Sequence, residues 1–178
     1  MNIEKLSQQL NQMNQHPPVE QWDPPFCGDM DIEIKTDGQW WYMGSPINRM
    51  PLVKLFASVL TRRNNEYLLV TPIEKVRIKV QDSPFLVTQW RRQNSEQGQL
   101  IIFTTNIGDE FMLSEQYSIQ PHSNEQNVLH LNIHRGLHAN LHRNVYYQLA
   151  SIAEQETIDG TEHWVIRSGG ISFSLGKA

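Results

Sequence analysis

Lys75, Arg77 and Lys79 alternate with Val76, Ile78 and Val80. On an extended strand alternate side chains share one face about 7 Å apart. The spacing therefore predicts a ladder of three cations able to hold a phosphate or carboxylate. Arg49 and Arg143 extend this chemistry. Each stands where a loop enters an apolar helical stripe, six residues before Leu55 and Leu149 respectively. The helix dipole opposes a cation there, so a specific partner is expected. That partner is either a carbonyl or carboxylate of the chain itself or a bound anion taken in bidentate fashion. Trp40 and Tyr42 supply an apolar wall. Arg49, Lys75, Arg77, Lys79, Arg143, Trp40 and Tyr42 are thus the candidate residues for a small anionic or nucleotide-like ligand. The competing reading is a solvated sheet face whose cations discourage edge pairing.

Other chemistry is weaker. His130, His134, His138 and His142 recur every four residues, a spacing that can hold zinc on a helix. Gly136 interrupts them, and residues 130–134 alternate like a strand. His138 and His142 then fall near the start of a helix, so the four need not converge, and no metal site is expected. Trp40, Trp41, Tyr42, Tyr67, Trp90, Tyr146, Tyr147 and Trp164 are read as core rather than as a base-stacking surface. Cys27 has no activating base nearby in sequence. The chain contains no phosphate-cradling Gly-x-x-x-x-Gly-Lys-Ser/Thr, no Gly-x-Gly-x-x-Gly and no Gly-x-Ser-x-Gly. No cofactor is expected, and the reading is non-enzymatic.

Bulk properties agree with a folded protein. Of 178 residues 39% are hydrophobic and 19% charged, with five tryptophans to anchor a core. A net charge of −4 argues against bulk nucleic acid as a partner. The distribution is uneven. Residues 47–92 hold nine basic and three acidic side chains, a net +6, so the rest of the chain carries −10. Either these regions face each other or a sister subunit, or the basic segment receives an anion. A single cysteine allows no internal disulfide. The opening residues lack a secretory pattern, and no apolar run reaches membrane-spanning length. A cytoplasmic location without membrane contact is expected.

The elements that must position these residues are short. Ile3, Leu6, Leu10 and Met13 mark an amphipathic helix within residues 1–15 that stops before Pro17-Pro18. Residues 31–43 read as a hairpin around Asp37-Gly38. Leu52, Leu55, Phe56, Val59 and Leu60 form a helical stripe opened by Pro51, and Tyr67–Val70 and Ile73–Val80 are strands. Ser83-Pro84 joins two halves, 1–83 and 84–178. Strands follow at about 85–91, 99–105, 110–113, 116–120 and 128–134, then a helix with Leu141, Val145, Leu149 and Ile152 as its stripe, then strands 163–167 and 170–175. This dense spacing suggests a barrel or rolled sheet. The order strand, arginine, helix, strand pair occurs at 31–80 and again at 128–175, which reads as a duplication.

Several segments resemble one bacterial family. Asp37-Gly-Gln-Trp40, Gly44-Ser-Pro-Ile-Asn-Arg49, Leu52–Leu60, Leu69-Val-Thr-Pro-Ile-Glu-Lys75 and Asp82-Ser-Pro-Phe85 carry the likeness in the first half. Phe103-Thr-Thr-Asn106, Leu137-His-Ala139 with Arg143, and Ser168-Gly-Gly-Ile-Ser-Phe173 carry it in the second. Over residues 16–176 the chain is similar to the family catalogued as domain of unknown function 1285. The resemblance implies an α+β fold of two related β-rich halves, each a small rolled sheet or barrel packed with one helix. It also implies a C-terminal half like a pleckstrin-homology domain, a ligand site where the halves meet, and a signalling role. The family has no established catalytic residues to carry over. Together these readings predict a non-enzymatic ligand-binding or regulatory module. The alternatives are a protein–protein adaptor without a small ligand, using the N-terminal helix and edge strands, and a hydrolase or metal enzyme built on His130–His142.

Overall fold

A computed structural model describes residues 2–13, 16–122 and 128–178. The chain divides into two compact units. The first comprises residues 1–84 with 135–137, the second 85–134 with 138–178.

Unit 1 opens with α1 (Ile3–Asn11), capped by the Asn2 side chain, which accepts from the Lys5 N–H at 2.8 Å. Leu6 and Leu10 are its buried residues. A 3-10 turn at Val19–Gln21 leads into β1 (Phe26–Ile34), β2 (Trp40–Tyr42) and β3 (Ser45–Pro46). Helix α2 (Met50–Ala57) follows, then β4 (Leu60–Arg63), β5 (Glu66–Val70) and β6 (Lys75–Val80). The six strands form one sheet in the order β3-β2-β1-β6-β5-β4. Only the central pair, β1 and β6, is parallel. Met30, Ile32, Ile34, Trp40, Leu69, Val76 and Ile78 make the buried face, and Trp40 stacks at 6.4 Å on Phe56 of α2. The helical stripe is shorter than its sequence pattern. Val53, Phe56 and Ala57 are the buried helix residues, while Leu60 already belongs to β4. An apolar run of β-branched and leucine residues serves a helix and a strand equally well, so periodicity could not place that boundary.

Unit 2 contains β7 (Phe85–Ser95), β8 (Gly98–Thr105), β9 (Glu110–Met112), β10 (Ile119–Pro121), β11 (Leu129–Asn132) and β12 (His138–Leu141). Helix α3 (Arg143–Ser151) and the strands β13 (Glu154–Ile158), β14 (Thr161–Ser168) and β15 (Ile171–Lys177) complete it. The first six strands form a sheet in the order β10-β11-β12-β7-β8-β9, with β12 and β7 parallel; the last three form a second sheet. Ser168, 1% exposed, ties the two sheets. Its Oγ donates to the Leu113 carbonyl at 2.8 Å and accepts from the Ile101 N–H at 3.0 Å.

The two six-stranded sheets share one topology. Reading β7–β12 against β1–β6 gives the same strand order and the same single parallel pair at the centre. The duplication is therefore real, but its phase differs from the alignment expected from sequence. Helix α2 lies between β3 and β4, whereas α3 follows β12, and the pair β14–β15 lies outside the six-stranded sheet. Arg49 and Arg143 consequently open helices at non-equivalent points of the repeat. His138 begins a strand rather than approaching a helix.

Candidate functional site

The cation ladder forms as a strand face, and the chain itself supplies most of its counter-charges. Residues opposite one another across the sheet share a face. Asp29 is level with Arg77 and Glu33 with Lys79 across the parallel pair. Arg77 holds Asp29 with two bonds, Nε to Oδ1 at 2.6 Å and Nη2 to Oδ2 at 3.2 Å, and its Nη1 donates to Glu66. The guanidinium also lies 5.5 Å from the centre of the Phe26 ring. Lys75 donates to Asp23 at 2.7 Å. Lys79 is exposed, and adds its field to Asp29 and Glu33. Glu33 accepts from Lys35 at 2.9 Å and from Gln81 at 3.1 Å.

The electrostatics follow from these bonds. The bond from Lys75 holds the Asp23 carboxyl below its usual range, and that from Arg77 does the same for Asp29. Lys35 lowers Glu33. The same contacts with Asp29 and Glu66 raise the Arg77 guanidinium. Unit 1 holds ten basic and ten acidic residues and is neutral, while unit 2 holds five and nine and carries −4. Glu20, Asp23, Asp29, Asp31, Glu33 and Asp37 thus offset the part of the basic segment that lies in unit 1, while Arg91 and Arg92 belong to unit 2.

The other expected residues fall elsewhere. Trp40 and Tyr42 pair with Ile34 and Ile32, and so lie on the buried face, opposite the ladder. Trp40 is 2% exposed, and its buried Nε1 has no hydrogen-bond partner among the described residues. It is a core residue rather than a wall for the cations. Tyr42 is half-buried. Arg49 is the N-cap residue of α2 and makes no capping bond; Arg143 is the first residue of α3. Both are exposed, and among the described residues neither makes a side-chain hydrogen bond or ion pair. Among the described residues the expected tie to a carbonyl or carboxylate is not made at either position.

Sequence reasoning missed Arg63 and Arg135. Arg63 Nη2 donates to the Val19 and Trp22 carbonyls, both at 3.0 Å. Arg135, in the left-handed backbone region at φ 61°, is 10% exposed at its side chain. It donates to Glu20 at 2.6 Å and to the Pro17 carbonyl at 2.9 Å, and also to the Ser58 carbonyl. Arg135-Gly136 between two apolar runs was the available signal, since both residues take positive φ.

The histidines take separate roles. His142 caps α3, its Nδ1 accepting from the Asn144 N–H at 3.2 Å. His130 lies 4.7 Å from His138 and 6.0 Å from His122, ring centre to centre, while His134 lies 6.0 Å from Phe111. Among the described residues no group of three or more His, Cys, Asp or Glu is placed to hold a metal ion. None of the described helices is long and apolar enough to cross a membrane.

Residues 17–83 match the model of the N-terminal domain of DUF1285, a domain of unknown function. Residues 84–175 match the C-terminal domain of the same family. The chain belongs to the DUF1285 family. A crystal structure of a DUF1285 protein from Silicibacter pomeroyi DSS-3 is 32% identical, with a TM-score of 0.81 over 97% of this chain and 95% of that one. A second DUF1285 structure, from Shewanella baltica OS155, is 30% identical, with a TM-score of 0.56 over 68% of this chain and 91% of that one. No curated protein matches. The two family domains meet between residues 83 and 84, and the repeated sheet topology gives that division a structural basis.

Proposed function

We propose that this DUF1285 protein is a non-enzymatic binding module with a regulatory, signalling role in the cytoplasm, and that it recognises a small anionic or nucleotide-like ligand. The observation that carries the reading is the contrast among its cations. Lys75 and Arg77 are neutralised by Asp23, Asp29 and Glu66. Arg49 and Arg143 open helices, where a cation is disfavoured by roughly 0.3–1 kcal/mol, and have no partner among the described residues. An anion at either position gains a guanidinium and reverses an unfavourable charge. Lys79 is the ladder residue that makes no hydrogen bond or ion pair among the described residues, although its field reaches Asp29 and Glu33. The remaining ladder residues, with Trp40 and Tyr42, then act through the fold.

The test is thermal stability of the purified protein against pyrophosphate, nucleotides, sugar phosphates, dicarboxylates and divalent metals. A ligand that binds only the folded state at a hundredfold excess over its dissociation constant stabilises by about 2.7 kcal/mol. The reading expects a phosphate or nucleotide shift lost in Arg49→Ala or Arg143→Ala and kept in Trp164→Ala. A panel with no response to any anion sinks it.

A further inference from the structure

Residues 17–25 run over unit 1 as a strap. Pro17-Pro18 and Pro24-Pro25 bracket it and remove the backbone donors at both ends. Its backbone bonds are internal, Val19 N–H to Pro17, Gln21 N–H to Pro18 and Trp22 N–H to Val19, apart from the Pro25 carbonyl, which accepts from the Lys75 N–H at 3.1 Å. Burial of Pro17, Val19 and Pro24 holds it, together with three cations. Arg63 takes the Val19 and Trp22 carbonyls, Lys75 takes Asp23, and Arg135 takes Glu20 and the Pro17 carbonyl.

The sheet face that carries Arg63 and Lys75 also carries apolar residues. Leu68 lies opposite Arg77, Val70 opposite Lys75 and Thr61 opposite Leu68, so all three share the charged face of the sheet. They are nevertheless 5%, 0% and 5% exposed. Val19 of the strap is itself fully buried. The sheet thus carries an apolar strip rimmed by Arg63, Lys75 and Arg135. The strap brings three buried apolar residues, Pro17, Val19 and Pro24, with two carboxylates and three carbonyls. Both carboxylates remain open to water, Glu20 at 61% and Asp23 at 84%. Such pairs are individually weak and screened by salt, so a segment presenting the same groups can replace them.

We propose that this strip is a docking groove for an acidic segment of a partner protein, and that residues 17–25 occupy it in cis as an autoinhibitory strap. The strap itself specifies what the groove accepts: an apolar residue followed by carboxylates one and four positions later, in a segment that opens with a 3-10 turn. This goes beyond the small-anion reading and uses neither Arg49 nor Arg143. A partner must compete with a tethered rival, so the intact protein binds weakly and a loosened strap exposes the full affinity.

The experiment uses the full chain and a fluorescein-labelled peptide of residues 16–25, read by anisotropy. The double variant Glu20→Ala/Asp23→Ala, checked for a wild-type circular dichroism spectrum, is expected to bind the peptide at least about tenfold more tightly than the wild type. A peptide carrying Gln and Asn in place of Glu20 and Asp23 is expected to lose that binding, as is the triple variant adding Arg63→Ala. The neutral peptide keeps the test decisive should Arg63→Ala fail to fold. Equal binding of the neutral and acidic peptides overturns the proposal, as does no saturable binding by the double variant. Concentration-dependent dimerisation of the double variant in place of peptide binding also overturns it, because the occupant is then a second copy. A pyrophosphate shift through Arg49 or Arg143 persists or vanishes independently of all these outcomes, so failure of one reading is separable from failure of the other.

Discussion

Arg135→Ala should unfold unit 1 more readily than any exposed arginine variant. The guanidinium is 10% exposed and bonds the Pro17 and Ser58 carbonyls and Glu20. Truncation strands two carbonyl acceptors, at about 1–3 kcal/mol each where they stay dry. Loss of the pair with Glu20, which is 61% exposed, adds no more than about 1 kcal/mol. The left-handed backbone at φ 61° is kept by alanine and so largely cancels. The net expectation is a loss of about 3 kcal/mol, or roughly 6–12 °C in Tm for a chain of this length. Urea denaturation followed by tryptophan fluorescence measures it. Glu20→Ala alone should cost about 1 kcal/mol or less. A loss in Arg135→Ala below about 1 kcal/mol, or one matched by Glu20→Ala, would refute the reasoning, because the carbonyls would then be satisfied without the guanidinium.

Ser168→Ala removes the donor to Leu113 and the acceptor for Ile101 N–H in a site 1% exposed, so unit 2 should lose about 1–3 kcal/mol in urea. Trp40→Phe should cost less than Trp40→Ala, which opens a cavity worth about 3–5 kcal/mol, because phenylalanine also deletes the unpartnered buried Nε1. For pH, Asp23, Asp29 and Glu33 have carboxyls lowered in the folded state, chiefly by Lys75, Arg77 and Lys35. Their stabilisation is complete above the ordinary carboxylate range, and falls away as pH drops through the lowered folded values. Carboxyl NMR titration of Asp29 should therefore show an upward return in Arg77→Ala, and an unchanged midpoint would contradict the bidentate pair.

Some of this molecule was legible in its residues. The alternation of Lys75, Arg77 and Lys79 placed three cations on one strand face correctly, because a period of two is unambiguous over six residues. The +6 segment pointed to charge matching, and Asp23 and Asp29, which lie outside it, pair with its Lys75 and Arg77. The family likeness held in both halves. What escaped was non-local. Trp40 and Tyr42 read as a ligand wall, but the antiparallel register with Ile34 and Ile32 turns them to the buried face. The strands β4, β12 and β13 were missed. Leu60 continued a helical stripe, His138 stood in a histidine series, and Glu154–Ile158 has no alternation of apolar residues to betray a strand. Arg135 depends on partners as many as 118 positions away, a distance no local pattern reports.

The phase of the repeat is the instructive error. Arg49 and Arg143 precede similar stripes at the same spacing, and looked equivalent. Sheet order overrides that likeness, since β1–β6 and β7–β12 superpose in topology with α2 inside the first set and α3 beyond the second. The two arginines remain comparable for a different reason. Each is an exposed cation at a helix start, without a partner among the described residues.

The most direct test of anion recognition is an NMR titration that follows the arginine Nε–Hε signals while pyrophosphate is added. Saturable movement of the Arg49 or Arg143 signal, with those of Arg77 and Arg135 held still by their internal partners, is the predicted result. Motion of Arg77 alone, or no saturable motion of any arginine signal, would contradict the account.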